Sequence, residues 1–290
     1  MTAPSSVVTE HVEFPAGTIR YHRAGSAGPA VVLLHGGGID NAMISWRHAI
    51  PALAVDHRVF LPDLPRHGGS GNWTGNAGQR TLEEVLRWLL DLWGLDRAVL
   101  VGLSTGGSVV TGFTLRHPQR VNGLVLAAPD GLRHRIAGQL PTYLMLRSRF
   151  SGPAIAALAG MSRGLCRQYL NRGVLHEPGR MADTEQLLDE VLAEARESGS
   201  VFSDWQFEAV GSRNMRVNHL PYLDRIRCPT MFVHGEFDRQ VPVEVSRTAA
   251  RAVAGSELRV LTEAGHWCQR EKPDEFNAAL REFLNSNGSG

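Results

Sequence analysis

The segment Gly102–Gly107, GLSTGG, constrains this chain more than any other. It follows the apolar run Ala98–Val101, which predicts a buried strand, and it precedes a helix-like segment. Glycines two residues on either side of Ser104 permit a sharp turn in which larger side chains would collide. This strand–turn–helix pattern is typical of a nucleophile elbow, which exposes the Ser104 hydroxyl and leaves the Thr105 N–H free. An idle serine on a glycine-rich turn is the alternative, because short motifs also occur by chance.

Other candidate residues come directly after predicted strands. Gly37 and Gly38 follow one apolar run, Asp238 follows another, and His266 follows the last. Because the carboxyl ends of parallel strands meet at one edge of a sheet, we expect these residues to lie near Ser104. Serine, histidine and aspartate there suit a nucleophile, its base and the acid that orients the base. An N–H of Gly37 or Gly38, together with that of Thr105, suits an oxyanion hole.

The acid has a second candidate. Asp130 also follows a predicted strand, Val121–Leu126, and it lies next to the elbow strand in the expected order. Asp238 has its own alternative role, since it precedes Val241-Pro242 and would also suit the cap of a following helix. The sequence therefore leaves both carboxylates open.

These motifs together resemble the α/β-hydrolase fold superfamily, roughly from Phe14 to Phe283. The resemblance depends on four segments: HGGG at 35–38, DLPRHGGS at 63–70, the serine elbow, and the turns at Asp238 and His266. It implies an α/β fold with a mostly parallel sheet, helices on both faces and a helical lid after the sixth core strand. We expect the core to comprise residues 1–130 and 222–290 and the lid residues 131–221, where strand-like runs are missing.

Within the superfamily, the glycine run and the segment GHWCQ at 265–269 look most like meta-cleavage-product hydrolases, which cut carbon–carbon bonds in ring-opened aromatic metabolites. The chain departs from them at two points. Leu103 stands where these enzymes usually carry asparagine, and Thr184–Val191 lacks their carboxylate-binding arginine. If the chain does cleave such a compound, another arginine has to bind the carboxylate, and Arg213 and Arg216 are candidates.

The sequence therefore predicts a serine hydrolase that cleaves a carboxylic ester or related acyl bond of a small, largely apolar substrate. Carbon–carbon hydrolysis is one alternative. A small-molecule receptor, or a cofactor-free oxygen or peroxide enzyme on the same fold, is another. We expect the substrate pocket to include four apolar or aromatic residues: Leu103, Tyr143, Trp205 and Trp267.

Composition excludes several other classes. The 290 residues carry a net charge of +1 without a basic stripe, so nucleic acid is not an expected partner. Histidine and cysteine lack metal-ligand spacing, and no cofactor is expected. Three widely spaced cysteines favour a reducing compartment. No signal-like start and no apolar run of about 18 residues is present, so we predict a cytoplasmic protein without a membrane span.

Overall fold

The structure is a computed structural model that describes residues 6–148, 154, 155, 157, 162–197 and 202–287. Its strands are β1 (Val8–Phe14), β2 (Gly17–Ala24), β3 (Ala30–Leu34), β4 (Arg58–Pro62), β5 (Ala98–Leu103), β6 (Val121–Ala127), β7 (Thr230–Gly235) and β8 (Glu257–Leu261). They form one eight-stranded sheet in the order β1-β2-β4-β3-β5-β6-β7-β8. The pairs β1–β2 and β2–β4 are antiparallel, and the remaining pairs are parallel.

The central strands are covered on both faces. β3, β5 and β7 are buried at every position, which explains why they read as continuous apolar runs. Side chains alternate between two core clusters, so Val101 and Leu103 enter one cluster while Leu100 enters the other.

Helices supply the rest of both clusters. On one face lie Ala42–Trp46, Ala49–Leu53, Cys268–Glu271 and Pro273–Asn287; on the other lie Gln79–Leu92, Thr105–Arg116 and Val243–Ala252. In Gln79–Leu92 the buried residues Leu82, Val85, Leu86 and Leu89 recur at helical spacing and form an apolar stripe against the sheet. The predicted α/β class, with helices on both faces of a mostly parallel sheet, is confirmed.

The segment between β6 and β7 contains no β-strand among its described residues. Its helices are Gln139–Arg147, Arg163–Tyr169, the π-helical turn Leu170–Val174, Pro178–Arg180, Thr184–Glu197, Asp204–Ala209 and Leu220–Arg225. We call this segment the helical insertion. It follows the sixth strand, as the sequence predicts, whereas its role as a lid and its boundaries at 131 and 221 stay predictions.

Membrane-spanning helices are not found in the part of the chain that the structure describes, because none of its helices is both long and apolar enough. The cysteines Cys166, Cys228 and Cys268 are all free thiols.

Candidate active site

Ser104 occupies the turn between β5 and the helix Thr105–Arg116. Its backbone has φ 50° and ψ −114°, a strained conformation for a residue with a side chain. The turn is this tight because backbones nearly touch: a Cβ added to Gly102 would lie 2.5 Å from the carbonyl carbon of Gly106. A Cβ on Gly106 would lie 2.4 Å from the carbonyl oxygen of His35, the residue that follows the neighbouring strand β3. The predicted need for glycine on both sides of Ser104 is confirmed.

Asp238 and His266 form a buried pair at the ends of β7 and β8. The His266 Nδ1 lies 2.7 Å from the Asp238 Oδ2 in a hydrogen bond. The other carboxylate oxygen, Oδ1, accepts the N–H groups of Gln240 at 2.8 Å and Val241 at 2.9 Å. The carboxylate thus holds its own loop and the imidazole together. With Nδ1 engaged, Nε2 is the ring nitrogen left to exchange a proton with a substrate or nucleophile.

The pair shifts the pKa of both groups in opposite directions. Burial raises the pKa of Asp238, but the charges and hydrogen bonds of His266 and His234 outweigh burial and leave that pKa well below its usual range. Burial lowers the pKa of His266, but Asp238, and more weakly Asp130 and Asp40, raise it overall. The lowered pKa favours an anionic Asp238, and the raised pKa favours a protonated His266 beside it.

Asp130 lies near the site, but among the described residues no hydrogen bond or ion pair joins it to His266. Its Oδ1 accepts the Gly131 N–H at 2.9 Å and lies 3.4 Å from the Arg133 guanidinium. Its backbone N–H donates to the Ser104 carbonyl oxygen at 3.0 Å. Of the two carboxylates that the sequence left open, the structure pairs Asp238 with the imidazole.

The loops that carry Asp238 and His266 approach each other closely. A Cβ on Gly235, at the end of β7, would lie 2.1 Å from the carbonyl oxygen of Gly265. Among the hydrogen bonds of the described residues, none joins the Ser104 hydroxyl to His266. Hydrogen bonds of this kind often tighten only when substrate binds, so their geometry at rest does not decide the role of either group.

Gly37 and Thr105 face each other beside Ser104. A Cβ on Gly37 would lie 2.7 Å from the Thr105 Oγ1, and Thr105 begins a helix whose first N–H groups have no intrahelical acceptor. Gly38 has φ 79°, and it is absent from the wall of the cavity that Gly37, Ser104 and Thr105 line together. The geometry therefore favours Gly37 over Gly38 as the partner of Thr105 in an oxyanion hole, a role that stays a prediction for all three.

Asp40 is a residue near the site that sequence reasoning did not single out. It is fully buried, and its carboxylate accepts the Gly36 N–H at 2.8 Å, the Asn41 N–H at 2.8 Å and the Ser45 hydroxyl at 2.7 Å. Burial raises its pKa to about 7, although these hydrogen bonds oppose the shift. Its position just after the glycine run was the available signal, because aspartate often bonds to nearby backbone there. Asp40 holds the glycine loop in place.

Glu271 ties the histidine loop to the helical insertion, and it too went unnoticed in the sequence. One carboxylate oxygen accepts the Gly265 N–H at 2.6 Å, and the other accepts the His176 N–H at 2.7 Å. The His266 N–H donates to the Val174 carbonyl oxygen at 2.7 Å. The position of the imidazole thus depends on contacts with the helical insertion, which no local sequence pattern predicts.

Two adjoining cavities lie at the site. The serine cavity, of about 160 Å³, is lined by Gly37, Ser104, Thr105, Asp130, Arg133, Ile136, Thr142, Met145, Leu146, Phe202, Trp205, Gln206, Val210, Met215, Gln240 and Val241. The outer cavity, of about 690 Å³, shares Gly37, Phe202, Gln206 and Gln240 with it and adds Gly38, Ile39, Ile155, Leu165, Gln168, Tyr169, Arg172 and Gly173.

The expected pocket residues are placed differently from one another. Trp205 lines the serine cavity. Leu103 and Trp267 lie on neither cavity wall: both are buried in the core cluster that holds Val101, because alternation along β5 directs Leu103 to that face. Tyr143 packs at the edge of the other cluster, with the Arg147 guanidinium 5.2 Å from its ring centre. The pocket roles expected for these four residues stay predictions.

No metal site is present in the described ranges, where no group of three or more histidine, cysteine, aspartate or glutamate side chains is arranged to hold an ion. The chemistry that the described side chains themselves offer is proton transfer and nucleophilic attack.

The chain is similar to known hydrolases over most of its length. A family model described as alpha/beta hydrolase fold matches residues 29–273. A 2-hydroxy-6-oxo-6-phenylhexa-2,4-dienoate hydrolase from Comamonas testosteroni is 28% identical over 272 residues, covering 92% of this chain and 91% of the relative. A 2-hydroxy-6-oxo-2,4-heptadienoate hydrolase from Pseudomonas putida is 30% identical over 274 residues, 91% of each chain.

Solved structures resemble the chain over nearly its whole length. A 2-hydroxy-6-oxo-6-phenylhexa-2,4-dienoate hydrolase from Rhodococcus sp. strain RHA1 superposes with a TM-score of 0.80 at 24% identity, covering 97% of this chain and 99% of that one. A thermophilic esterase from Thermogutta terrifontis gives a TM-score of 0.77 at 23% identity, with coverages of 97% and 99%. At these identities the likeness shows the fold alone.

The contact between Asp238 and His266 leads to a ranking of two variants. We expect Asp238→Asn to lower kcat by about 10⁴-fold, since an amide at this point favours the wrong imidazole tautomer. Asp130→Asn should lower kcat less than about tenfold, because Asp130 acts on His266 only at a distance. Steady-state kinetics measures both, and thermal unfolding checks that each variant is folded. The reverse ranking would assign the acid to Asp130.

The raised pKa of His266 has a consequence for the pH profile. A base must be neutral to accept a proton, so kcat/KM should fall in acid with a midpoint above the ordinary histidine value of 6.5. Asp238→Asn removes the anion that favours the imidazolium and should move this midpoint down. A substrate that does not titrate between pH 5 and 9 makes the measurement clean. A midpoint below 6.5 in the wild type would contradict the expectation.

Proposed function

Because this chain belongs to the alpha/beta hydrolase fold family, we propose that it is a serine hydrolase with Ser104 as nucleophile, His266 as base and Asp238 as the residue that orients His266. The observation that carries the proposal is the buried 2.7 Å hydrogen bond between Asp238 and His266 at the sheet edge that also presents Ser104. A serine hydroxyl is a weak nucleophile unless a base takes its proton, and this pair is a base with a fixed orientation.

The chemistry follows from these groups. The Ser104 Oγ bonds to the acyl carbon while His266 takes the hydroxyl proton, and the N–H groups of Gly37 and Thr105 hold the negative charge that develops on the acyl oxygen. His266 then gives the proton to the leaving group as its bond to the acyl carbon breaks. Water, activated by the same imidazole, releases the acid from Ser104.

For the bond that is cleaved, our first candidate is the carbon–carbon bond of a ring-opened dienoate. Two relatives that share 28% and 30% identity over nine-tenths of the chain are hydrolases of such compounds. Their substrates carry a carboxylate, and Arg172 is the charged side chain in the described wall of the outer cavity. Arg213 and Arg216, the replacements considered from sequence, are exposed and line neither cavity.

An ester is the second candidate. Leu103 is fully buried and apolar at the position before the nucleophile, so it offers no polar group to a dienoate. The serine cavity is also small, which suits the short acyl group of a simple ester. Both candidates share the same nucleophile, base and acyl intermediate, so they differ only in the leaving group.

The nucleophile is tested by covalent labelling. We expect a fluorophosphonate probe to modify the wild-type protein stoichiometrically and to leave Ser104→Ala unmodified, with turnover in that variant reduced by about 10⁴ to 10⁶. Intact-protein mass spectrometry measures the label, and thermal unfolding provides the folding control. A wild-type protein that binds small acyl compounds but resists the probe would indicate a receptor rather than a hydrolase.

The bond type is tested with two substrates that share an acetyl group. We expect kcat/KM for 2-hydroxy-6-oxo-2,4-heptadienoate to exceed that for 4-nitrophenyl acetate, each corrected for the rate of Ser104→Ala. Arg172→Gln should raise KM for the dienoate alone, because only that substrate carries a carboxylate. Arg213→Gln, at an exposed position, is the matched control. Faster turnover of the ester would make ester hydrolysis the first candidate.

A further inference from the structure

The serine cavity contains a charged group that the proposed chemistry does not use. Arg133 and Asp130 are the charged residues among its described lining residues, and the rest of the wall is apolar or carries neutral polar groups. The Arg133 side chain is 15% exposed, so most of it is withdrawn from water. Withdrawing a charge from water is costly, so we expect a cationic group beside the proposed nucleophile to have a binding partner.

The contacts of the Arg133 guanidinium are incomplete. One terminal nitrogen lies 3.4 Å from the Asp130 Oδ1, and the other donates to the Gln240 carbonyl oxygen at 3.3 Å. Both distances exceed those of strong N–H···O bonds, which are about 2.7–3.2 Å. The Nε is buried without a hydrogen-bond partner among the described residues, and the Asp130 Oδ1 already accepts the Gly131 N–H. The guanidinium therefore retains donors for a further oxygen.

The position of Ser104 decides which part of a substrate meets this guanidinium. Ser104 lines the serine cavity and is not among the residues that line the outer cavity. An acyl group bonded to Ser104 therefore starts in the serine cavity, whose wall also carries Arg133. The serine cavity, at about 160 Å³, is much smaller than the outer cavity, at about 690 Å³, and favours a short acyl group.

We propose that Arg133 is a specificity-determining residue that binds a carboxylate at the far end of a short acyl group on Ser104. This inference rests on the proposed serine hydrolase function and deepens it, because it names the chemistry of the acyl half of the substrate. Guanidinium and carboxylate match in geometry, and their hydrogen bonds are stronger than those between neutral groups. Asp130 neutralises Arg133 when the cavity holds no anion and opposes a second carboxylate when it does.

The kinetic test uses two esters of matched shape. Benzyl hydrogen succinate and benzyl 4-methylpentanoate have acyl groups with equal numbers of heavy atoms, and only the first ends in a carboxylate. We expect the wild type to prefer the succinate in kcat/KM. Arg133→Gln should reduce that preference about tenfold or more, whereas Asp130→Asn should increase it by removing the competing anion. Arg135→Gln, exposed two residues away, should leave it unchanged.

Arg133→Lys is the second variant, because it keeps the charge but loses the planar fork, and it should show an intermediate preference. Thermal unfolding of each variant controls for folding. A wild type without preference for the succinate, or an Arg133→Gln variant with the wild-type preference, would overturn the assignment.

A binding measurement separates this inference from the proposed function. Calorimetry on Ser104→Ala should show succinate binding more tightly than 4-methylpentanoate, and adding Arg133→Gln should abolish the difference. If succinate binds in this way while the fluorophosphonate probe fails to label Ser104 in the wild type, the hydrolase function fails and the Arg133 site remains. If the probe labels Ser104 but succinate binding ignores Arg133, the function remains and this inference fails.

Discussion

The close approach of three backbones at the end of β5 is the constraint on which the rest of the site depends. Gly102 and Gly106 leave no room for a Cβ, and the carbonyl oxygen of His35 closes the turn from the neighbouring strand. The turn holds Ser104 at a positive φ. Such strain persists only when surrounding structure over-determines it, and here the fully buried strands β3 and β5 do so. Ser104, the proposed nucleophile, is therefore positioned by fully buried strands.

The other groups depend on buried or half-buried carboxylates that accept backbone N–H groups. Asp238 holds its own loop, Asp40 holds the glycine loop, and Glu271 joins the histidine loop to the helical insertion. Glu194 extends the same arrangement, since its side chain accepts from the Asn41 amide at 2.8 Å and the Gly68 N–H at 2.9 Å. A buried carboxylate without partners is costly, so each of these groups stabilises one loop geometry. The insertion and the candidate catalytic loops are thereby positioned together.

The two cavities differ in volume and in the charged residues of their described walls. The described wall of the serine cavity carries Arg133 and Asp130, and that of the larger outer cavity carries Arg172. The family relationship by itself does not choose between a carbon–carbon and an ester bond, because Ser104, His266 and Asp238 would serve both. We expect the choice of substrate to depend on the charges that the cavity walls present to the two ends of the substrate.

What the sequence by itself determined is local. Short patterns predict the tight turn at Ser104 and the buried strands β3, β5 and β7, because backbone sterics and burial act over a few residues. They also predict a segment without strands between β6 and β7, as its described residues show. Both Asp238 and Asp130 follow strands, and only the tertiary structure shows that Asp238 is the one hydrogen-bonded to His266. It also packs Leu103 and Trp267 in a core cluster and places Arg133 in the wall of the serine cavity. Side-chain direction at a sheet edge depends on how distant segments pack, and no periodicity along the chain encodes that.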